Sequence, residues 1–209
     1  MTLLTLYNFK NQILEQNGVV IDKIESYNEL MFNQQFGRQI ILSEVQVNKI
    51  IFQLRNATEA DWSVLIGIHN GSVVGPFHAK KKSILDESKK YANKSIHKEF
   101  QNIPLNIYNN VSSEWWGVRD SVFVRWTINE NEQYINYELN RNKIGAELFY
   151  PLYLSNFENP FALISVYYSL ENANVLSKDK ENLNFIINKV KQNGKRLEHE
   201  FERIYQISK

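Results

Sequence analysis

The sequence predicts an α+β domain, with strands in the middle of the chain and helices at both ends. Three observations lead there. Apolar residues at the two ends recur at spacings of three and four, the period of a helix with one covered face. Three internal runs, 62–68, 146–154 and 161–168, are apolar and β-branched or aromatic almost without a break, the pattern of strands covered on both faces. Between them lie turn-forming clusters, and no linker or low-complexity segment divides the chain.

The elements follow in order. Leu3, Leu6, Phe9, Ile13 and Leu14 mark a first helix, with Gly18 as its stop, and Val20, Ile24, Tyr27 and Met31 continue the spacing. After Gly37 comes a clearer helix, with Ile40, Val47, Ile50, Ile51 and Leu54 on one stripe opposed by Arg38, Gln46, Lys49 and Gln53. The first strand, Trp62–Ile68, is expected to stop at His69-Asn70-Gly71-Ser72, since Asn-Gly supplies the positive-φ residues of a turn. Ser121–Thr127 alternates and predicts a strand with one wetter face, while residues 103–116 read as loop and short helix, and 132–142 as a second short helix. Ala146–Leu154 and Phe161–Tyr168, joined by the turn formers Asn156-Phe157-Glu158-Asn159-Pro160, predict an antiparallel hairpin. The C-terminal seam runs Leu183, Ile186, Val190, Gly194, Leu197, Phe201, Ile204. Gly194 costs that helix about 1 kcal/mol relative to alanine, so it either admits a close neighbour or reflects drift.

Composition excludes several functions. The chain has 209 residues, 24 basic against 23 acidic side chains and no cysteine. A net charge of +1 gives no global field toward nucleic acid or anionic membranes. Without cysteine there are no disulfides, thiolate metal ligands, cysteine nucleophiles or thioether-linked chromophores. Asparagine is about one residue in eight and isoleucine and lysine abound, the mark of an A·T-rich genome. The apolar runs are too short to span a bilayer and Met1–Lys10 lacks a secretory pattern, so a soluble cytoplasmic protein is expected.

Three local patterns resemble a GAF domain, a PAS-like sensor fold with a central antiparallel sheet flanked by helices. Val64–Ile68 followed by His69-Asn70-Gly71 resembles the first strand and turn of a His-Asn-Gly subtype found in bacterial and phage proteins, with Ile68 where phenylalanine is common. Lys82-Ser83-Ile84-Leu85-Asp86-Glu87 is similar to the segment after that turn, and Ile144-Gly145-Ala146 leading into Phe149-Tyr150-Pro151-Leu152 resembles the strand with a central proline. The likeness covers residues 38–207, so the expected division is a helical extension over 1–37 and a GAF-like domain over 38–209. The resemblance implies a ligand-binding or dimerising module. The Asn-Lys-Phe-Asp-Glu signature of cyclic-nucleotide GAF domains is absent, no cysteine holds a bilin, and no output domain is read after the fold.

The candidate ligand-binding residues are His69, Asn70, Glu87, Trp115 and Trp116. His69 and Asn70 end a strand beside a turn, and a histidine there titrates near neutrality or simply ties the turn down. Glu87 beside Asp86 suggests acid–base work or a metal, yet neighbouring strand residues point to opposite faces, so no metal site and no cofactor are expected. Two adjacent tryptophans cannot both enter one core from a strand, so one ring of Trp115-Trp116 would meet solvent, a ligand or a partner. No nucleophile elbow, Ser-x-x-Lys motif, P-loop or Gly-x-Gly-x-x-Gly run is present, and a non-enzymatic role is expected. The Lys80–Lys98 stretch is the one basic candidate for nucleic acid, disfavoured by its lack of arginine and read as a solvated loop and helix face. Leu6, Phe9, Ile13, Val190, Leu197 and Phe201 are the expected interface residues, because the end stripes look too apolar for a lone copy. The function expected is a module acting through homo-oligomerisation or protein docking, with or without a small ligand. The alternative is a structural subunit of a larger assembly such as a phage virion, which would place the protein in the virion rather than the cytoplasm.

Overall fold

The computed structural model describes residues 29–74, 77–104, 117–127, 143–155 and 157–207. Leu6, Phe9, Ile13, Trp115, Trp116 and the expected short helix at 132–142 lie outside the described residues.

Helix α1 spans Glu29–Thr58 and runs without interruption through Gly37, where the sequence suggested a domain boundary. Its expected stripe is its buried one: Val47, Ile50, Ile51 and Leu54 are all covered. The helix ends where Thr58 Oγ1 turns back to the Leu54 carbonyl at 2.8 Å and Glu59 takes a left-handed φ of 52°.

Strand β1 (Trp62–Val74) pairs antiparallel with β2 (Phe77–Lys89) and with β6 (Ala162–Ser169). The β2 edge carries β3 (Ile103–Pro104), and beyond β6 lie β5 (Ile144–Leu152) and then β4 (Phe123–Trp126), giving the order β3-β2-β1-β6-β5-β4. The expected β5–β6 hairpin is present, with Tyr150 opposite Ile164. Pro151 fits inside it because the Leu152 carbonyl faces β6, accepting from Phe161 N at 3.0 Å. The missing N–H of Pro151 therefore points to the other side, past the last β4 pairing at Phe149.

Two expectations for the first hairpin are corrected. His69-Asn70-Gly71 does not end β1; the strand continues to Val74, and the ladder shifts register between Asn70 and Val73. Asn70 stays paired with Lys80, and Gly71 and Ser72 together face one residue of β2, a bulge in the ladder. Of the lysine-rich stretch after it, residues 80–89 belong to strand β2 rather than to a loop or helix, with Lys82 and Ile84 buried, while Lys94 and Lys98 are exposed in the loop that follows.

Helices α2 (Leu170–Leu176) and α3 (Lys180–Ile207) complete the chain. Ser169 caps α2 by accepting from Asn172 N. Alternation divides the sheet into two faces. Leu65, Leu148, Tyr150, Ile164 and Val166 meet the three helices, whereas Val64, Ile66, Ile84, Phe149 and Tyr167 form a second cluster with Ile96, Phe100 and Ile103.

A further correction concerns α3. Val190, Leu197 and Phe201, expected at an interface, are inside the helix-side core, and Phe161 meets Phe201 edge-on at 5.2 Å. The seam is covered by the chain's own sheet and α1. Each such side chain contributes roughly 1.5–3 kcal/mol by burial, so turning the seam outward would forfeit the core.

Candidate functional site

On the helix side, β4 and β5 present the apolar residues Val124, Trp126, Ala146 and Leu148, but the opposite face of the same strands holds a buried charge. On β5, Ala146 and Leu148 turn to the helices and Glu147 and Phe149 turn away; on β4, Val124 and Trp126 face the helices and Phe123 and Arg125 do not. The β4–β5 register sets Arg125 opposite Glu147 and Phe123 opposite Phe149. Arg125 Nη1 lies 3.1 Å from Glu147 Oε2, with the glutamate side chain 2% exposed. From β6, Tyr167 donates its hydroxyl to Glu147 Oε1 at 3.0 Å, and Ser165 Oγ approaches the same oxygen at 3.4 Å. The rings of Phe123 and Phe149 stack at 5.4 Å, and the Arg125 guanidinium lies over Phe149 at 5.5 Å.

Such a cluster is costly to keep in a core. Desolvating an ion pair offsets its attraction, and apolar residues of similar volume commonly stabilise a fold equally well. The chain adopts that apolar solution on the helix side of the same strands. Chemically, the arrangement sets a planar cation over an aromatic pair, beside a carboxylate steadied by two hydroxyls. Glu147, Phe149 and Tyr167 are buried, and the Arg125 side chain, at 13% exposure, is the more exposed partner of the pair.

The sequence-selected residues fall elsewhere. His69 and Asn70 lie in β1 opposite Lys81 and Lys80, and their side chains are outside the described part. Glu87 pairs with Val64, five strand positions from His69, or about 17 Å at ~3.4 Å per residue, so the two are not brought together. The Glu87 carboxylate instead holds the loop after β2, accepting from Ser95 Oγ and from Ile96 N at 2.9 Å. Asp86 accepts from Glu87 N; burial, with a smaller push from Glu44, keeps its carboxyl above the usual range. Among the described residues no group of histidine, aspartate and glutamate could hold a metal ion.

The basic stretch is not one surface. Lys82 is buried, Lys89 Nζ donates to the Asn93 carbonyl at 2.6 Å, and Lys90 lies 3.4 Å from Asp61. Arg125 and Glu147 escaped the sequence reading, although a signal existed. Each is a lone charge in an otherwise apolar strand, Val124-Arg125-Trp126 and Ala146-Glu147-Leu148.

No known family profile matches the sequence, and no curated protein is similar to it. Solved structures are similar in shape. The phycocyanobilin-bound GAF domain of a cyanobacterial phytochrome superposes with a TM-score of 0.57 at 12% identity, covering 87% of this chain and 97% of that one. The phycoerythrobilin-bound form gives 0.55 at 12% identity, with the same coverage of 87% and 97%. The blue-light-absorbing GAF domain of Thermosynechococcus elongatus PixJ gives 0.52 at 10% identity, covering 81% of this chain and 93% of that one. Identity this low shows the fold alone: the chain has a GAF-like α+β fold. Among the described residues, no helix is long and apolar enough to cross a membrane.

Proposed function

We propose that the protein is a non-catalytic, GAF-like module that holds a small molecule against the sheet face carrying Arg125, Glu147 and Tyr167. The observation behind this reading is the buried Arg125–Glu147 pair, stacked on Phe149 on the face that the three helices do not cover. The similar GAF domains of the cyanobacterial phytochrome carry bilins, which agrees with a ligand role for the shape. A bilin attached through cysteine is excluded here, since the chain has none. The ligand is therefore held without a covalent thioether, by stacking and charge. Native mass spectrometry of gently purified protein tests this: wild type carries a discrete small-molecule mass, and the double variant Arg125→Met, Glu147→Leu, which leaves no buried charge unpaired, loses it while remaining folded. A bare wild-type spectrum contradicts the reading.

A second reading, docking to another protein, a second copy or a larger assembly such as a virion, is favoured by α1. Val45 and Phe52 are 56% and 54% exposed and seven residues apart, so they share one side of the helix. Light scattering distinguishes the two. Particles larger than one chain that dissociate on Phe52→Glu support docking to a second copy, and a monomer removes that form of it.

A further inference from the structure

A second polar cluster lies on the helix side, away from the Arg125–Glu147 pair. Gly194 leaves a notch in α3, where a Cβ would stand 2.3 Å from the ring of Tyr150. Through that notch the Tyr150 hydroxyl reaches two carboxylates, Glu198 Oε2 on α3 and Asp120 Oδ1 on the strap 117–121, each at 3.2 Å. The strap is tied on both sides. Lys195 holds Asp120 at 2.9 Å, and the Arg119 guanidinium covers the Tyr153 ring at 4.6 Å and donates to the Phe157 carbonyl. Glu198 Oε1 in turn accepts from Tyr153 N at 2.8 Å.

One hydroxyl has one proton and cannot donate to both carboxylates at once. With both ionised, one of the two contacts is an oxygen–oxygen approach without hydrogen. We propose that Glu198, Tyr150 and Asp120 form a proton-operated latch between α3 and the strap. When Glu198 takes up a proton, its O–H donates to the Tyr150 oxygen, Tyr150 donates to Asp120, and Lys195 holds Asp120. Every contact then carries a hydrogen, and helix, strand and strap are joined. The strap leads directly into β4, so the latch couples α3 to the edge strand that bears Phe123 and Arg125.

The electrostatics support this order of protonation. Burial pushes the Glu198 carboxyl up; Asp120 adds to that, while Tyr153 N, Tyr150 and Arg119 oppose it without cancelling it. Asp120 moves the other way, drawn down chiefly by its bond to Lys195, then by Tyr150 and Lys191. Glu198 is therefore the first of the two to gain a proton as pH falls.

The test is a carbon-13 carboxyl titration of the full chain. Wild type should show two inflections in the Asp120 carboxyl resonance, its own and a second at the Glu198 midpoint. Tyr150→Phe keeps the ring in the notch but removes the relay, and should lose the second inflection. Glu198→Gln, which keeps shape and hydrogen bonding, should lose it too. A single Asp120 inflection in wild type, or a second one that survives in Tyr150→Phe or Glu198→Gln, overturns the latch.

Discussion

Asp61 shows how one side chain holds several elements. Its carboxylate accepts from Ser169 N at 2.7 Å and from Asn172 Nδ2 at 2.8 Å, and it faces Lys90 at 3.4 Å, joining the start of β1 to the end of β6 and to α2. Burial pushes this carboxyl up, but the bonds from Ser169 and Asn172 and the charge of Lys90 outweigh it and leave the group below its usual range. A depressed native pKa contributes stability above the unfolded value, and that contribution is lost as pH falls through the native one. Asp61→Ala is expected to cost about 1–3 kcal/mol at neutral pH, and urea denaturation should show the gap to wild type closing in acid. Gly194 gives a second prediction at this scale. Alanine would gain about 1 kcal/mol of helix propensity. The added methyl, however, meets the Tyr150 ring rather than open space. Overpacking of this kind costs about 1–3 kcal/mol, so Gly194→Ala should lower the melting temperature instead of raising it.

At the scale of elements, legibility followed hydrophobic pattern. The α1 stripe at Val47, Ile50, Ile51 and Leu54, the strand from Trp62 and the β5–β6 hairpin were all readable, because an unbroken apolar run has few other fates in a chain of this composition. Strand β2 was hidden by its charges: Lys80-Lys81-Lys82 and Asp86-Glu87 look solvated in one dimension. In the sheet Lys82 is covered and Glu87 is occupied by Ser95 and Ile96. The buried charge pair was hidden for the converse reason. Arg125 and Glu147 are far apart in sequence, and only the β4–β5 register sets them opposite one another. That register makes a prediction. Removing one partner of a buried pair should cost about 3–5 kcal/mol, so Glu147→Ala alone is strongly destabilising. Arg125→Met combined with Glu147→Leu should recover most of that loss in a double-mutant cycle of denaturant midpoints. A double-variant cost equal to the sum of the two single-variant costs would mean that the pair is not coupled.

For the whole molecule, one sheet divides two chemistries. The helices seal one face with Val190, Leu197 and Phe201, which is why the C-terminal seam is unavailable to a second copy. The docking reading therefore rests on Val45 and Phe52, and light scattering decides whether a second copy is the partner. The other face keeps a charge pair beside stacked aromatics, in a fold that resembles bilin-carrying GAF domains in shape but lacks a cysteine. The most direct measurement is a native mass spectrum of wild type beside the double variant Arg125→Met, Glu147→Leu, with circular dichroism confirming that both are folded. The account predicts a discrete small-molecule adduct on wild type and none on the variant. Wild type at its bare chain mass, or an adduct that the variant retains, would contradict it.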